Sequence, residues 1–188
     1  ATTGSFSIDK EGFIILTGTN YRLATLDASN QPVALSIDAS RTSPPKVTTT
    51  VKFANNLSAD ASLDLPYAVS NIKVHDATGK THVWKAQFQR QTAGTWSVTV
   101  TNGTATVATT THKFVNGLID PSTARLDIAD TTSGLTVAFD FSTGVSSFSG
   151  GNVSTLSAAS VDGYPAGALT SVGVNAQGQI ELGYSNEQ

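Results

Sequence analysis

The sequence contains no cysteine and no methionine. The missing cysteines exclude disulfides, thiolate metal sites and thiol nucleophiles in one step. Charge is scarce too: Asp, Glu, Lys and Arg make 13% of the residues, about half the ~25% of an ordinary globular domain. Ser and Thr take over the polar role, so the surface is expected to be hydroxyl-rich and weakly charged. A net charge of −3 and an isoelectric point near 5.5 leave no basic stripe for a phosphate backbone, which argues against nucleic-acid binding. No apolar run approaches the ~18 residues of a membrane span, and no helical stripe outlasts a turn or two. No membrane partner is therefore expected. Ala1 falls within what reads as a strand. Together with the missing methionine, this makes the chain an expected internal piece of a longer protein, so the lack of a leader at Ala1 carries no message about export.

What is present is enough to fold. The residues AVILMFWYC make 39% and the 16 glycines bring the apolar share close to the usual 45–50%. Short alternating segments separated by Gly, Asn, Asp and Pro predict an all-β chain. Val33, Leu35 and Ile37 lead to Pro44-Pro45, which removes two donors and breaks any strand. Val47 to Phe53 follows, with a β-branched run at Thr48-Thr49-Thr50. Ile72 and Val74 turn through Asp76-Ala77-Thr78-Gly79 into Trp84, Ala86 and Phe88. Ala93-Gly94 then turns into Trp96, Val98 and Val100, and this alternation places both tryptophans inward. Asn102-Gly103 reads as the strongest two-residue hairpin signal. Leu126 and Ile128 turn at Ser133-Gly134 into Leu135, Val137, Phe139 and Phe141. The Ser/Gly-rich stretch 142–152 reads as a flexible linker or floppy loop.

Both ends of the chain read as hairpins. At the first, Phe6 and Ile8 alternate into an Asp9-to-Gly12 turn, and Phe13 and Ile15 alternate out of it on one apolar face. At the second, Leu169, Val172 and Val174 precede a turn where Gly178 supplies positive φ, and Ile180, Leu182 and Tyr184 follow. The wording around these hairpins is more specific than the pattern. Asp162-Gly163-Tyr164, Gly167, Leu169-Thr170-Ser171 and the closing Gly183-Tyr184-Ser185-Asn186-Glu187-Gln188 resemble the bacterial flagellar hook protein family. The segment from Gly4 through Phe6, Asp9 and Gly12 resembles the matching segment of hook and related rod proteins. Lys46 to Thr50 with Asn56-Leu57, Val74 to His82, and Leu135 to Ser142 resemble further family segments, whereas 89–133 is supported by strand patterning alone.

The resemblance implies two β-rich domains, one inserted into the other. The expected boundaries are a discontinuous outer domain of hairpins at 1–58 and 156–188 and a barrel- or sandwich-like insert at 59–155. It also implies a structural, non-enzymatic subunit exported through the flagellar secretion apparatus to the extracellular hook of the basal body. There it would self-associate into a flexible tube that passes motor torque to the filament as a universal joint. The hook cap, rod and hook–filament junction proteins are the implied partners, and the isolated piece, lacking the helical ends, is expected to be monomeric. The residues carrying this motif are Gly12, Gly163, Tyr164, Gly167, Gly178, Tyr184 and Asn186, all expected to be structural. Tyr164 and Tyr184 are expected to be largely buried.

No cofactor, metal or catalytic set is expected from the residues. His75 and His82 flank one turn, but a zinc site requires three or four ligands, and besides Asp76, expected to face the wrong way, nothing nearby supplies them. His112 reads as a strand-face residue. The chain has no G-x-S-x-G elbow, and Gly150-Gly151 lacks the Lys-Ser/Thr of a phosphate loop. Asp9 with Glu11 and Asp127 with Asp130 read as turn formers. The N-x-S/T matches at Asn56, Asn102 and Asn152 are expected by chance in a Ser/Thr-rich chain. The alternative reading is a secreted β-rich adhesin or carbohydrate-binding module presenting Trp84, Trp96, Tyr21 or Tyr67. The register of Trp84 with Phe88 and of Trp96 with Val98 favours core packing instead.

Overall fold

A computed structural model describes residues 5–92 and 94–188, so Ala1, Gly4 and Ala93 lie outside the described residues. In chain order the strands are β1 Phe6–Ile8, β2 Ile14–Leu16, β3 Ala24–Leu26, β4 Pro32–Ala34, β5 Thr42–Ser43, β6 Thr50–Asn56, β7 Tyr67–His75, β8 Thr81–Arg90 and β9 Thr95–Asn102. There follow β10 Ala105–Val115, β11 Leu118–Ile119, β12 Arg125–Asp130, β13 Leu135–Asp140, β14 Val145–Ser146, β15 Ser157–Val161, β16 Gly167–Val174 and β17 Ile180–Tyr184. Only two single-turn 3-10 helices interrupt them among the described residues, so the chain is all-β as its alternation predicts.

The residues group into two compact units, one of residues up to 44 together with 166–188, the other of 45–165. The expected boundaries at 58/59 and 155/156 lie further inside the sequence. Strands β6 and β15 account for the difference: β15 pairs antiparallel with β6, and β6 pairs parallel with β13 and β14, so all four belong to one sheet of the second unit.

In the first unit, β1 and β2 form one hairpin, β3 and β4 another, and β17-β16-β5 a three-stranded sheet. Among the described residues one turn recurs four times. At Asp9, Asp27, Asp76 and Asn175 the side-chain oxygen accepts the backbone N–H groups two and four residues on. The residue three positions on takes φ between 62° and 83°, and it is Gly12, Asn30, Gly79 or Gly178. Such a three-residue loop with a left-handed last position is a standard hairpin closure. In the first hairpin it pairs Ile8 with Ile14 and Phe6 with Leu16. The expected face of Phe13 and Ile15 is therefore corrected by one residue: Ile14 is fully buried, while the Phe13 ring lies 3.9 Å under the Arg22 guanidinium. The extra loop residue shifts the phase.

The second unit is a ten-stranded sheet in the order β12-β13-β6-β14-β11-β10-β9-β8-β7, with β15 on the far side of β6. It folds on itself, bringing β12 beside β10 and β15 beside β7. Inside stand Trp84, Trp96, Phe53, Phe88, Phe139 and Phe141, each at most 2% exposed. Phe53 stacks on Phe141 at 4.5 Å between centroids and meets Phe139 at 5.0 Å. Such rings contribute geometric specificity as well as buried area.

Two turn expectations change. Asn102 pairs with Ala105, so the two-residue loop is Gly103-Thr104, one residue further on. Asn116 (φ 52°) and Gly117 (φ 78°) join Val115 to Leu118, and this is where both central residues adopt the positive φ of a type I′ hairpin. The stretch 142–152 is not a linker. Val145 and Ser147 are buried, β14 pairs with both β6 and β11, and the Asn56 amide takes the Phe148 N–H at 2.8 Å and donates to its carbonyl at 3.1 Å.

Candidate functional site

In each unit the motif residues sit at close backbone or side-chain contacts. In the second unit, Lys46 and Tyr164 form an antiparallel bridge, with N–H···O bonds of 3.0 Å in both directions. Beside it, Asp162 accepts the Thr49 and Thr50 N–H groups at 2.9 Å each and the Thr49 hydroxyl at 2.5 Å. Burial opposes ionisation of Asp162, but these three donors outweigh it and hold its pKa below the usual carboxylate value. Thr48, 1% exposed, donates its N–H to the His75 carbonyl and accepts the His75 N–H on its hydroxyl at 2.8 Å. Gly163 lies directly over Thr48. A Cβ there would stand 2.6 Å from the Thr48 nitrogen and 2.7 Å from its Cα, so only hydrogen fits.

The first unit uses its motif residues in the same way. A Cβ on Gly167 would meet the Asn186 amide nitrogen at 2.9 Å, and that nitrogen donates to the Ser43 hydroxyl at 3.3 Å. The Tyr184 hydroxyl donates to the Ser40 carbonyl at 2.8 Å, tying β17 to a single-turn 3-10 helix 144 residues away in sequence. Gly12 combines positive φ with an approach to the Asp38 carboxylate, whereas Gly178 has positive φ and open space. Tyr164 and Tyr184 are half-buried rather than largely buried. Replacing Tyr184 with Phe removes only the tether and is expected to cost about 1 kcal/mol, the usual worth of one such bond. Chemical denaturation measures it.

The titratable residues are satisfied locally. Asp76 and His82 meet at 3.0 Å, and the Thr78 hydroxyl together with His82 holds Asp76 well below the usual carboxylate range. The Asp76 carboxylate therefore faces His82. His75, whose pKa burial lowers, is 3.2 Å from the Thr81 hydroxyl. The hydroxyl–imidazole and imidazole–carboxylate contacts thus belong to different histidines and form no relay. Arg22 bridges Asp9 and Glu11, Asp130 accepts the Thr132 N–H, and Asp127 is an exposed β12 residue 3.7 Å from Arg125. Among the described residues no three His, Asp or Glu side chains gather as a metal set. No helix among them is long and apolar enough to cross a membrane.

His112 behaves differently from its expectation as a simple strand-face residue. It is fully buried, 5.0 Å from the Phe114 ring and 4.2 Å from that of Phe141, and neither ring nitrogen has a hydrogen bond of full geometry. Burial lowers its pKa to about 4, opposed only weakly by the Thr123 backbone. The alternation through Phe114 carried the signal for its inward position. Trp84 and Trp96 are also core residues, which removes them as sugar platforms. Asn56 and Asn102 are engaged by Phe148 and Asp130, and Asn152 is exposed in a turn.

No protein-family model matches the chain, and no curated protein matches it. Among solved structures it is similar to the Helicobacter pylori flagellar hook protein FlgE2, at 14% identity and a TM-score of 0.47. The matched part covers 65% of this chain and 30% of that one.

Proposed function

We propose that this chain is the outer part of a bacterial flagellar hook subunit, a building block without catalytic activity. The observation that carries the reading is the use made of the motif residues. Within their own units, Gly163 packs against the Thr48 backbone, and Gly167, Tyr184 and Asn186 make contacts of the same structural kind. A motif spent on construction suits a structural part. In this reading the full-length protein polymerises outside the cell into the hook, after export through the flagellar secretion apparatus. It meets cap, rod and hook–filament junction proteins there, and the isolated chain is monomeric. A bending tube needs contacts that exchange every turn, which wet, hydroxyl-lined interfaces with few desolvated charges permit.

Immunogold labelling with antibodies raised against this chain tests the proposal: label is expected on the curved segment between cell body and filament. Label confined to the cell envelope or the culture medium would overturn it. The inserted-domain organisation makes a second expectation. Residues 45–165 contain a complete sheet and core, so expressed alone they should unfold in one cooperative transition. A non-cooperative melt would show that the two units fold only together.

A further inference from the structure

We propose that the outer face of β7–β10 binds an acidic polysaccharide. Charge in the second unit is unevenly placed. From Tyr67 to Val115 the sequence holds Lys73, Lys80, Lys85, Arg90 and Lys113 but one carboxylate, Asp76, which His82 occupies. The rest of that unit reverses the balance, with Lys46, Lys52 and Arg125 against seven aspartates. Arg90 donates to the Ala61 carbonyl, away from this face.

The register shows what the face presents. Trp84, Ala86, Phe88, Trp96, Val98 and Val100 are buried, so Lys85, Gln87, Gln89, Ser97, Thr99 and Thr101 point the other way. Gln87 opposes Thr99, which opposes Thr109; Gln89 opposes Ser97, which opposes Thr111. Lys73 opposes Val83, and Lys85, two residues on, is its diagonal neighbour and opposes Thr101. Lys113 opposes Thr95 at the other end, and Asp120 beside it takes up part of its charge. The result is a hydroxyl and amide lattice, roughly 20 Å along the strands, with two uncompensated ammonium groups beside the exposed Val83 at one end and no carboxylate among its described residues.

That chemistry chooses the partner. Hydroxyl and amide rows can exchange hydrogen bonds with a polyhydroxylated chain, and the lysine pair is complementary to its acid groups. The face has no exposed aromatic ring and no arginine, the anchors on which protein interfaces depend. A neutral glycan would lack a stacking platform for the same reason. Nucleic acid would find neither stacking rings nor enough positive charge.

Affinity electrophoresis of the 188-residue chain through gels containing polygalacturonate tests the inference, with uncharged dextran as the comparison and amide chemical-shift mapping to place the contact. The expected results are salt-sensitive retardation by polygalacturonate alone and shifts along Lys73, Lys85, Gln87 and Thr99. Replacing both lysines (Lys73→Glu, Lys85→Glu) should weaken binding by roughly tenfold or more. The milder pair Lys73→Gln and Lys85→Gln should weaken it less, and Lys52→Glu should not alter it. Absent retardation, equal retardation by dextran, or shifts on other strands would overturn it. So would a salt-sensitive self-association lost in the Glu pair, which would assign the face to a second copy. None of these results bears on where the whole protein is located in the cell, so this inference and the hook proposal fail separately.

Discussion

Acidifying the protein from about pH 7 to about pH 4.5 is expected to remove about 2 kcal/mol of stability through His112 alone. The sign follows from where the proton binds. Folded, His112 titrates near 4 because burial disfavours its charge; unfolded, it returns to about 6.5. Its stabilising effect is therefore complete above the unfolded value and is lost as pH falls from there towards 4, because only the unfolded chain gains the proton. Burial lowers the His75 pKa also and adds a loss of the same sign. Asp76 and Asp162 titrate below the usual carboxylate value, so their losses come at still lower pH. Urea unfolding at both pH values measures the effect. His112→Leu should flatten most of the dependence between them, since an apolar side chain suits the Phe114 and Phe141 contacts. An unchanged pH dependence in that variant would assign the proton uptake elsewhere.

Gly163→Ala is expected to destabilise the protein by about 2–3 kcal/mol, at the upper end for overpacking. The new methyl group would meet the nitrogen and Cα of Thr48, and backbone cannot rotate aside as a side chain can. Thr48 is itself fixed by hydrogen bonds to His75 in both directions, so the strain passes into β7. The double variant Gly163→Ala, Thr48→Ala should recover only part of the loss, because it removes the Thr48 hydroxyl, the nearest atom, but leaves the backbone nitrogen and Cα in place. Equilibrium denaturation of the single and double variants tests this, and full recovery in the double variant would show that the hydroxyl, not the backbone, sets the limit.

Local order was legible in the sequence, and long-range order was not. Alternation alone puts Trp84 and Trp96 inside, because a half-buried sheet imposes a period of two. The Asp76 to Gly79 turn was equally plain, since an Asx oxygen and a left-handed position leave a local signature. Phase across a turn was harder: whether Phe13 or Ile14 faces inward depends on one loop residue, and both are apolar. The stretch 142–152 has the composition of a linker, and what fixes it is β14 pairing and the bonds from Asn56 to the Phe148 backbone, which composition does not show. Nothing local announces that β6 has β13 and β14 as parallel partners, so the domain boundary lies beyond what patterning yields. The motif positions were singled out by resemblance. Their mechanical reasons, a Thr48 backbone under Gly163 and a Ser40 carbonyl at the end of Tyr184, are visible only in three dimensions.

Because the first unit draws strands from both sides of a continuous second unit, the order of folding is constrained. Strand β5 must find β16 across residues 45–165, and closing a loose loop of that length costs roughly 4 kcal/mol of chain entropy. Once β6 and β15 have paired, the Lys46–Tyr164 bridge has already brought the two ends of the loop together. The hairpins at Asp9 and Asn175 are local and quick to form, but the three-stranded sheet that the Asn175 hairpin completes with β5 has to wait for the larger unit. The refolding kinetics should accordingly show the Tyr184–Ser40 contact appearing last.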